Sequence, residues 1–515
     1  MIKTKKFGVF EKSFSASDDF NNPYKEIETY ARLQSPNGNN WLIPLFYDGD
    51  NTWKLRVSPD KIGIWNYYVD SNDPELNGIS GKFKCIDSSL KGGLDTMKGY
   101  PMHFQYQNGN PVWFFGDTQW RLFATEAENK LNRESVEHYI DVRSGQGFNY
   151  IHTDLMGGAG ISSGEHIFES FSEEIINEEF FQEVDYRIKY MNDKGITSGI
   201  VLAWHRGNPA WESFKSEEAC LRYARYIVAR YSAYNTVFII SGEWDQINMD
   251  KKPLFNKIGQ EIMTYDPHNR LRAIHPCKKR TVEEFAIEPW MSFGDYQQMY
   301  KAPHDREASA EERKALHDAL EKTKKYNKPV LNTEYGYYLR KMGGNQDYRQ
   351  NVKDIDKPHS HTRQSFRRAS WSLVMTGGYF VTGFGTTYFG GWRNIGPFDV
   401  DDPKNDDAEQ DLMNIKNFFT RLKWWELEVK DTLVKGDKDN PCYCLTNKET
   451  TYVIYSEENN IFNLNINQDD AKDVSVKRYN PRTGDFKEIT DYSLVGNSLE
   501  ITNPDTQDWV YWISN

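Results

Sequence analysis

Residues Thr236 to Asp245 read TVFIISGEWD, and this stretch decides the fold. Five of its first six residues are β-branched or aromatic, which predicts a buried strand. Ser241 and Gly242 end the run, and a carboxylate, Glu243, follows at once with Trp244 and Asp245 behind it. A buried parallel strand that delivers an acid at its C-terminal end is how (β/α)8 barrels place catalytic groups. Residues 328–336, KPVLNTEYG, repeat the arrangement: a short apolar run, then Glu334, then an aromatic and a glycine. Either acid alone could be a solvated loop residue or a helix cap. As a pair on two strands they could face each other across one pocket.

Outward from these two stretches, short apolar runs alternate with helical ones from about Lys98, the pattern of βα units around a parallel sheet. Eight candidate strands begin near Val112, Phe148, Ile196, Thr236, Leu271, Met291, Pro329 and Gly378. Helical periodicity between them covers 178–194, 217–234, 310–326 and 361–375, and a last helix over 409–425 should close the barrel. The predicted fold class is α/β, a (β/α)8 TIM barrel at 98–427 between two β-sandwich domains, at 1–90 and 428–515. Residues 1 to about 88 hold short strand-like runs such as WLIPLFYDG and GIWNYYVD with turn clusters between them, which predicts an antiparallel sandwich. That module reads as a support or as a sugar-binding unit. A Ser- and Gly-rich linker is expected near 87–96. Beyond Glu428 the runs TYVIYSE, IFNLNIN and DWVYWIS return to strand spacing.

Composition narrows the function classes. A chain of 515 residues suits two or three domains. Net charge is −12 with acids spread along the chain and no basic stripe, which argues against a nucleic-acid partner. No apolar run approaches the ~18 residues of a membrane span. The start, MIKTKKFGVF, has a basic opening but no apolar core or small-residue cleavage site, so a cytoplasmic protein is expected unless a signal has been removed. Five scattered cysteines suit reduced thiols rather than a disulfide framework. Aromatics reach 15%, more than a core needs, and ring faces suit the C–H faces of sugars. A carbohydrate is therefore the expected partner; the oligomeric state is not readable.

If the barrel is right, its C-terminal rim collects Asp117, His152, Asp154, Trp204, His205, Glu243, Asp245, His275, Asp295, Tyr296 and Glu334. Trp120, Trp204, Trp244 and Trp392 are candidate aromatic walls for a sugar, the last within the glycine-rich FGGWRN. Two carboxylates flanking a bond meet the requirement of glycoside hydrolysis, and Glu243 with Glu334, on opposite sides of the barrel, fits it. One of the two would protonate the leaving oxygen, and the other would attack the anomeric carbon or activate water. Tyr296 is the expected donor that keeps Glu334 ionised, and Asp245 is the rival acid. His152, Asp154, His205 and His275 could also be metal ligands. Metal-dependent barrel hydrolases usually bring a His-x-His pair on the first strand, which is missing here, so no metal and no cofactor are expected. Two other classes stay in play: a non-catalytic carbohydrate-binding scaffold and a metal-dependent barrel hydrolase.

These residues also carry a family resemblance. The order of strand-four acid and strand-seven nucleophile is that of the retaining (β/α)8 glycosidases. GYPMHFQYQNGNPVWFFGDTQW, residues 99–120, resembles the opening of the apiosidase-like barrel family. The stretch from NPYKEIETYARLQSPNG to IPLFYDGDNTWKLRVSPDKIGIWNY is similar to that family's N-terminal sandwich, and YNPRTGDFKEI with DTQDWVYWI to its collagen-binding-type C-terminal sandwich. The resemblance implies a glycoside hydrolase with Glu334 as the nucleophile and Glu243 as the acid/base. The family commonly places Asp after Gly-Gly on strand four, and the wider clan places Asn before the strand-four Glu. Ser241-Gly242-Glu243 departs from both, so the Asn contact to the substrate must come from elsewhere or be absent. Apiose specificity does not follow from the resemblance.

Overall fold

The computed structural model describes residues 1–124, 132–156, 167–204, 210–245, 251–277, 282–297, 308–338, 362–384, 400–401, 403, 405–447, 450–466 and 474–514. Its centre is a barrel of eight parallel strands: Gly116–Thr118, Tyr150–Asp154, Thr197–Val201, Thr236–Ile239, Arg272–Ala273, Gly294–Tyr296, Val330–Asn332 and Tyr379–Phe384. Backbone pairing runs from the fifth strand back through the first, then to the eighth, seventh and sixth. At the remaining seam Ser292 N donates to Arg272 O over 2.8 Å, which draws the fifth and sixth strands together. Each expected strand is present but shorter than its apolar run. The run from Val112 divides: Pro111–Val112 pairs with Phe104–Tyr106 in a small separate sheet, and the barrel strand begins only at Gly116.

Alternation sorts the strand residues into two layers. Val237, Ile239 and Ala273 pack with Tyr150 in one cluster, whereas Phe238, Ile240, Ile151 and Ile200 pack against the helices in another. Gly199 on the third strand is required by packing: a Cβ there would meet the Tyr150 hydroxyl at 1.9 Å. The helices Glu178–Asp193, Glu217–Tyr231 and Ala310–Thr323 begin at Asn177, Ser216 and Ser309, each of which accepts a backbone N–H of the first turn. Ser309 and Glu312 complete a capping box. The expected closing helix runs Asp406–Phe419, shorter than predicted because Thr420 and the following turn end it before Trp425.

The N-terminal module packs a five-stranded sheet on a three-stranded one around Phe10, Leu33, Trp65 and Phe83. It is not wholly antiparallel: Ile2–Lys5 runs parallel to Ser80–Ile86. The expected linker also carries structure, since Leu94–Thr96 pairs with Phe104–Tyr106. The module is clamped to the barrel by buried ions. Arg56 pairs with Asp185 at 2.5 Å, and Arg230 pairs with Asp185 at 2.8 Å and with Asp48 at 2.6 Å. The C-terminal module packs a six-stranded sheet on a four-stranded one. It docks on helix Arg363–Val374 through Arg367–Asp508 (2.7 Å) and the stacked rings of Trp371 and Tyr455. All five cysteines are free thiols, and no described helix is long and apolar enough to cross a membrane.

Candidate active site

The fourth strand ends at Ile239, and Glu243 then takes a left-handed backbone, φ 44°. A non-glycine residue there costs about 1–3 kcal/mol and persists only where its surroundings hold it. Here two neighbours hold it. Gly242 N donates to Ala203 O (3.1 Å) at the end of strand three, and Trp244 N donates to His275 O (3.3 Å) at the end of strand five. Glu243 is thereby fixed at the rim, with 4% of its surface exposed.

Glu334 stands two residues past the seventh strand and is 6% exposed. Gln297 Nε2 donates to its Oε2 at 2.5 Å, and His275 Nε2 lies 3.5 Å from the same oxygen. His275 is gripped from behind: its Nδ1 is 3.3 Å from Asp295 Oδ1 and 3.0 Å from Thr333 Oγ1. Burial disfavours the imidazolium, but Asp295 and Glu334 outweigh it and push His275 up to about 10. His152 is the opposite case. Burial and the His275 charge hold it well below the usual histidine range, so it is neutral. Two nearby histidines thus carry one charge between them, placed beside Glu334.

Trp120 and Trp204 join these groups in one cluster. Their rings lie 4.9 Å apart; Trp120 is 5.0 Å from His152, and Trp204 is 5.6 Å from His275. His152 Nε2 and Asp295 Oδ2 are buried with no hydrogen-bond partner among the described residues. Buried polar atoms of this kind are costly unless something satisfies them, and a substrate hydroxyl can do so. His152, His275 and Asp295 also have ligand atoms all within 4.8 Å of one another, which among the described residues makes them the set that could hold a metal ion. A cation there would have to displace the His275 proton.

Several predicted residues sit elsewhere. Asp117 is fully buried but faces the helical layer, where Arg143 Nε, Tyr139 Oη (2.8 Å) and Thr118 N (2.9 Å) donate to it. Arg143 continues to Glu409 at 2.6 Å, so Asp117 is the inner end of a buried ion network. Trp244 is no wall of the pocket: it packs edge-on against Phe285 in the helix-side core. Asp245 accepts Cys277 N at 2.6 Å, which ties it to the turn after the fifth strand. Asp154 lies in the second strand, two residues beyond His152, and its N–H reaches Trp120 O at 3.4 Å. Burial keeps the Tyr296 phenol protonated. His205 and Trp392 lie outside the described residues. Gln297, the residue after Tyr296, has no signal in the sequence, because an uncharged amide past a strand end carries no pattern.

Residues 101–426 match the family model described as the apiosidase-like catalytic domain. Residues 3–72 match a domain of unknown function, and 430–513 match the collagen-binding-type domain of a collagenase. No curated protein matches the chain by sequence. Among solved structures, one described as a glycoside hydrolase from Bacteroides vulgatus superposes with a TM-score of 0.75 at 18% identity, covering 100% of both chains. A second from the same organism, described as a glycoside hydrolase of family 5, gives 0.66 at 17% identity over 82% of this chain and 94% of its own. At such identities the likeness is one of fold, and with the first of them it extends over all three domains.

Proposed function

Because the chain belongs to the apiosidase-like family, we propose that it is a glycoside hydrolase working through two carboxylates with retention of configuration. The observation that carries this reading is the pair of rim glutamates held in unlike ways. Glu243 is fixed by a strained backbone, and Glu334 accepts from Gln297 with charged His275 beside it. Gln297 and His275 fix the direction of the Glu334 carboxylate, as a nucleophile needs, and the strained turn at Glu243 fixes the other carboxyl, as a proton donor needs.

In the first step the Glu334 carboxylate attacks the anomeric carbon, and the leaving oxygen takes the Glu243 proton. In the second, Glu243 removes a proton from water, which attacks the same carbon and releases Glu334. The Trp120 and Trp204 rings offer apolar faces for the sugar, and His152 and Asp295 offer polar atoms for its hydroxyls.

The test is the anomer released first, read by proton NMR during hydrolysis of an aryl glycoside or an oligosaccharide. Retention is expected, with Glu334→Ala inactive; an inverted product overturns the mechanism. The cluster His152, His275 and Asp295 favours a second reading, a metal-dependent hydrolase. Dialysis against EDTA should leave turnover unchanged. Loss of activity with recovery on adding zinc would move the function to that reading.

A further inference from the structure

Three strand ends meet behind Glu334. The fifth strand leads to His275, the sixth holds Asp295, and the seventh leads to Thr333, the residue before the glutamate itself. The backbone keeps them in place: His275 N donates to Ser241 O over 3.0 Å, and Thr333 N donates to Tyr296 O over 2.8 Å. All three side chains are buried.

The hydrogens of this group follow from counting donors. Thr333 Oγ1 has one proton, and it goes to Asp295 Oδ1 at 2.5 Å. His275 Nδ1 lies 3.0 Å from that Oγ1 and 3.3 Å from that Oδ1. Both oxygens can only accept from it, so Nδ1 carries a hydrogen. On the far side of the ring, Nε2 lies 3.5 Å from Glu334 Oε2. A carboxylate only accepts, so this contact calls for a hydrogen on Nε2 as well. Catalytic contacts are often this long before substrate binds and tighten in the complex. Asp295 and Thr333 thus fix the ring and aim its second N–H at Glu334.

The worth of that N–H changes along the reaction. A hydrogen bond to a charged acceptor is roughly twice as strong as one to a neutral acceptor. Attack on the anomeric carbon turns the Glu334 carboxylate into an ester, so the contact weakens in the first step. Hydrolysis of the ester restores the carboxylate, so the contact strengthens in the second. Only interactions that grow towards the transition state speed a step.

We propose that Asp295 is a positioning residue for the second half of the reaction, where it acts through His275 to aim an N–H at Glu334 as that carboxylate leaves the anomeric carbon. The bond from this carbon to Glu334 breaks and its electron pair goes to the carboxylate oxygen. Water forms the new bond to carbon and gives its proton to Glu243, while His275 keeps its hydrogens. The inference rests on the reading of Glu334 as the nucleophile.

The experiment uses 2,4-dinitrophenyl glycosides, whose leaving group is good enough to make the first step fast, so that the second limits kcat. Asp295→Asn keeps the shape and an acceptor but not the charge, so it should hold the ring more weakly. Its kcat should fall about tenfold, less than the ~10²–10³ lost with a donor that touches the reacting group itself. KM should fall with it, leaving kcat/KM, which reports the first step, at the wild-type value. In stopped flow, a burst of dinitrophenolate should precede the slowed steady state. If Asp295→Asn does not fold, Thr333→Val applies the same test, with a smaller change in the same direction. The proposal is overturned if kcat/KM falls as far as kcat, with no burst, while the sugar is still released with retention. It is also overturned if kcat stays at the wild-type value. An inverted product would instead overturn the two-step reading on which the proposal rests.

Discussion

The indole of Trp204 fills the place that a side chain at Gly242 would take. A Cβ built on Gly242 would come within 1.9 Å of the ring, and the two residues face each other across a parallel bridge between strands three and four. The missing Asn before the strand-four acid is therefore a packing consequence: the ring that lines the pocket excludes it. Gly242→Asn should displace Trp204 and, with it, the strained turn at Glu243. The expected result is a fall in kcat/KM of about a hundredfold, the scale for a catalytic group misplaced by about 1 Å, with a lower Tm. Wild-type kinetics in Gly242→Asn would show that the indole does not set this position.

Gln297 should act as a positioning residue for Glu334. Its Nε2 donates to Glu334 Oε2 at 2.5 Å, which fixes the direction of that carboxylate. Gln297→Leu should lower kcat by roughly ten- to a hundredfold, up to the low end of the loss seen when one preorganised active-site donor is removed, with KM little changed. Gln297→Asn, which keeps a donor, should recover part of the loss. Equal losses in Gln297→Leu and Gln297→Asn would reduce Gln297 to a packing role.

The fold was legible because its strands are apolar runs of the right length between turn residues, and the positions of Glu243 and Glu334 at strand ends were legible because each follows such a run directly. Side-chain direction was not. Extending strand alternation past Ile239 places Glu243 and Asp245 on one side, but the positive φ at Glu243 breaks the alternation, and Asp245 turns to Cys277 N. The same break sends Trp244 into the core while Trp204, one strand earlier, stays with the site. Asp117 departs from expectation for another reason. Its partner Arg143 comes from the following helix, and a strand residue one place out of register with the pocket looks the same in sequence as one that faces it.

Asp117→Ala should accordingly destabilise the protein rather than remove a substrate contact. Breaking a buried pair leaves Arg143 beside Glu409 with its second carboxylate gone, a change worth about 3–5 kcal/mol. Denaturant unfolding should show a loss of that size, while KM at a temperature where the variant is folded stays near the wild-type value. A large rise in KM with unchanged stability would return Asp117 to the substrate site.

His103 should make stability depend on pH. Its Nδ1 lies 2.7 Å from the Tyr379 hydroxyl, and burial, helped by Lys324, pushes the ring down to about 4. The folded ring is neutral where the unfolded one, with a pKa near ~6.5, takes a proton. Its contribution is thus fully present above about pH 6.5 and is lost as the pH falls towards 4. His103→Gln should flatten the stability profile over this window by up to about one proton. An unchanged slope would mean that His103 is already charged in the fold.

Glu243 and Asp245 can be separated by the leaving group. If Glu243 is the acid, Glu243→Ala should hurt substrates with poor leaving groups most, because only these need the proton. Activated aryl glycosides should still form the glycosyl-enzyme on Glu334 and then stall, since no base activates water. Azide needs no base, so it should speed release and give a glycosyl azide of the original configuration. Asp245→Ala should show neither effect: it removes the acceptor of Cys277 N, and the cost should appear as a lower Tm. Full activity in Glu243→Ala, together with azide rescue in Asp245→Ala, would transfer the acid/base role to Asp245. The strained backbone at Glu243 would then serve to aim the residue two places on.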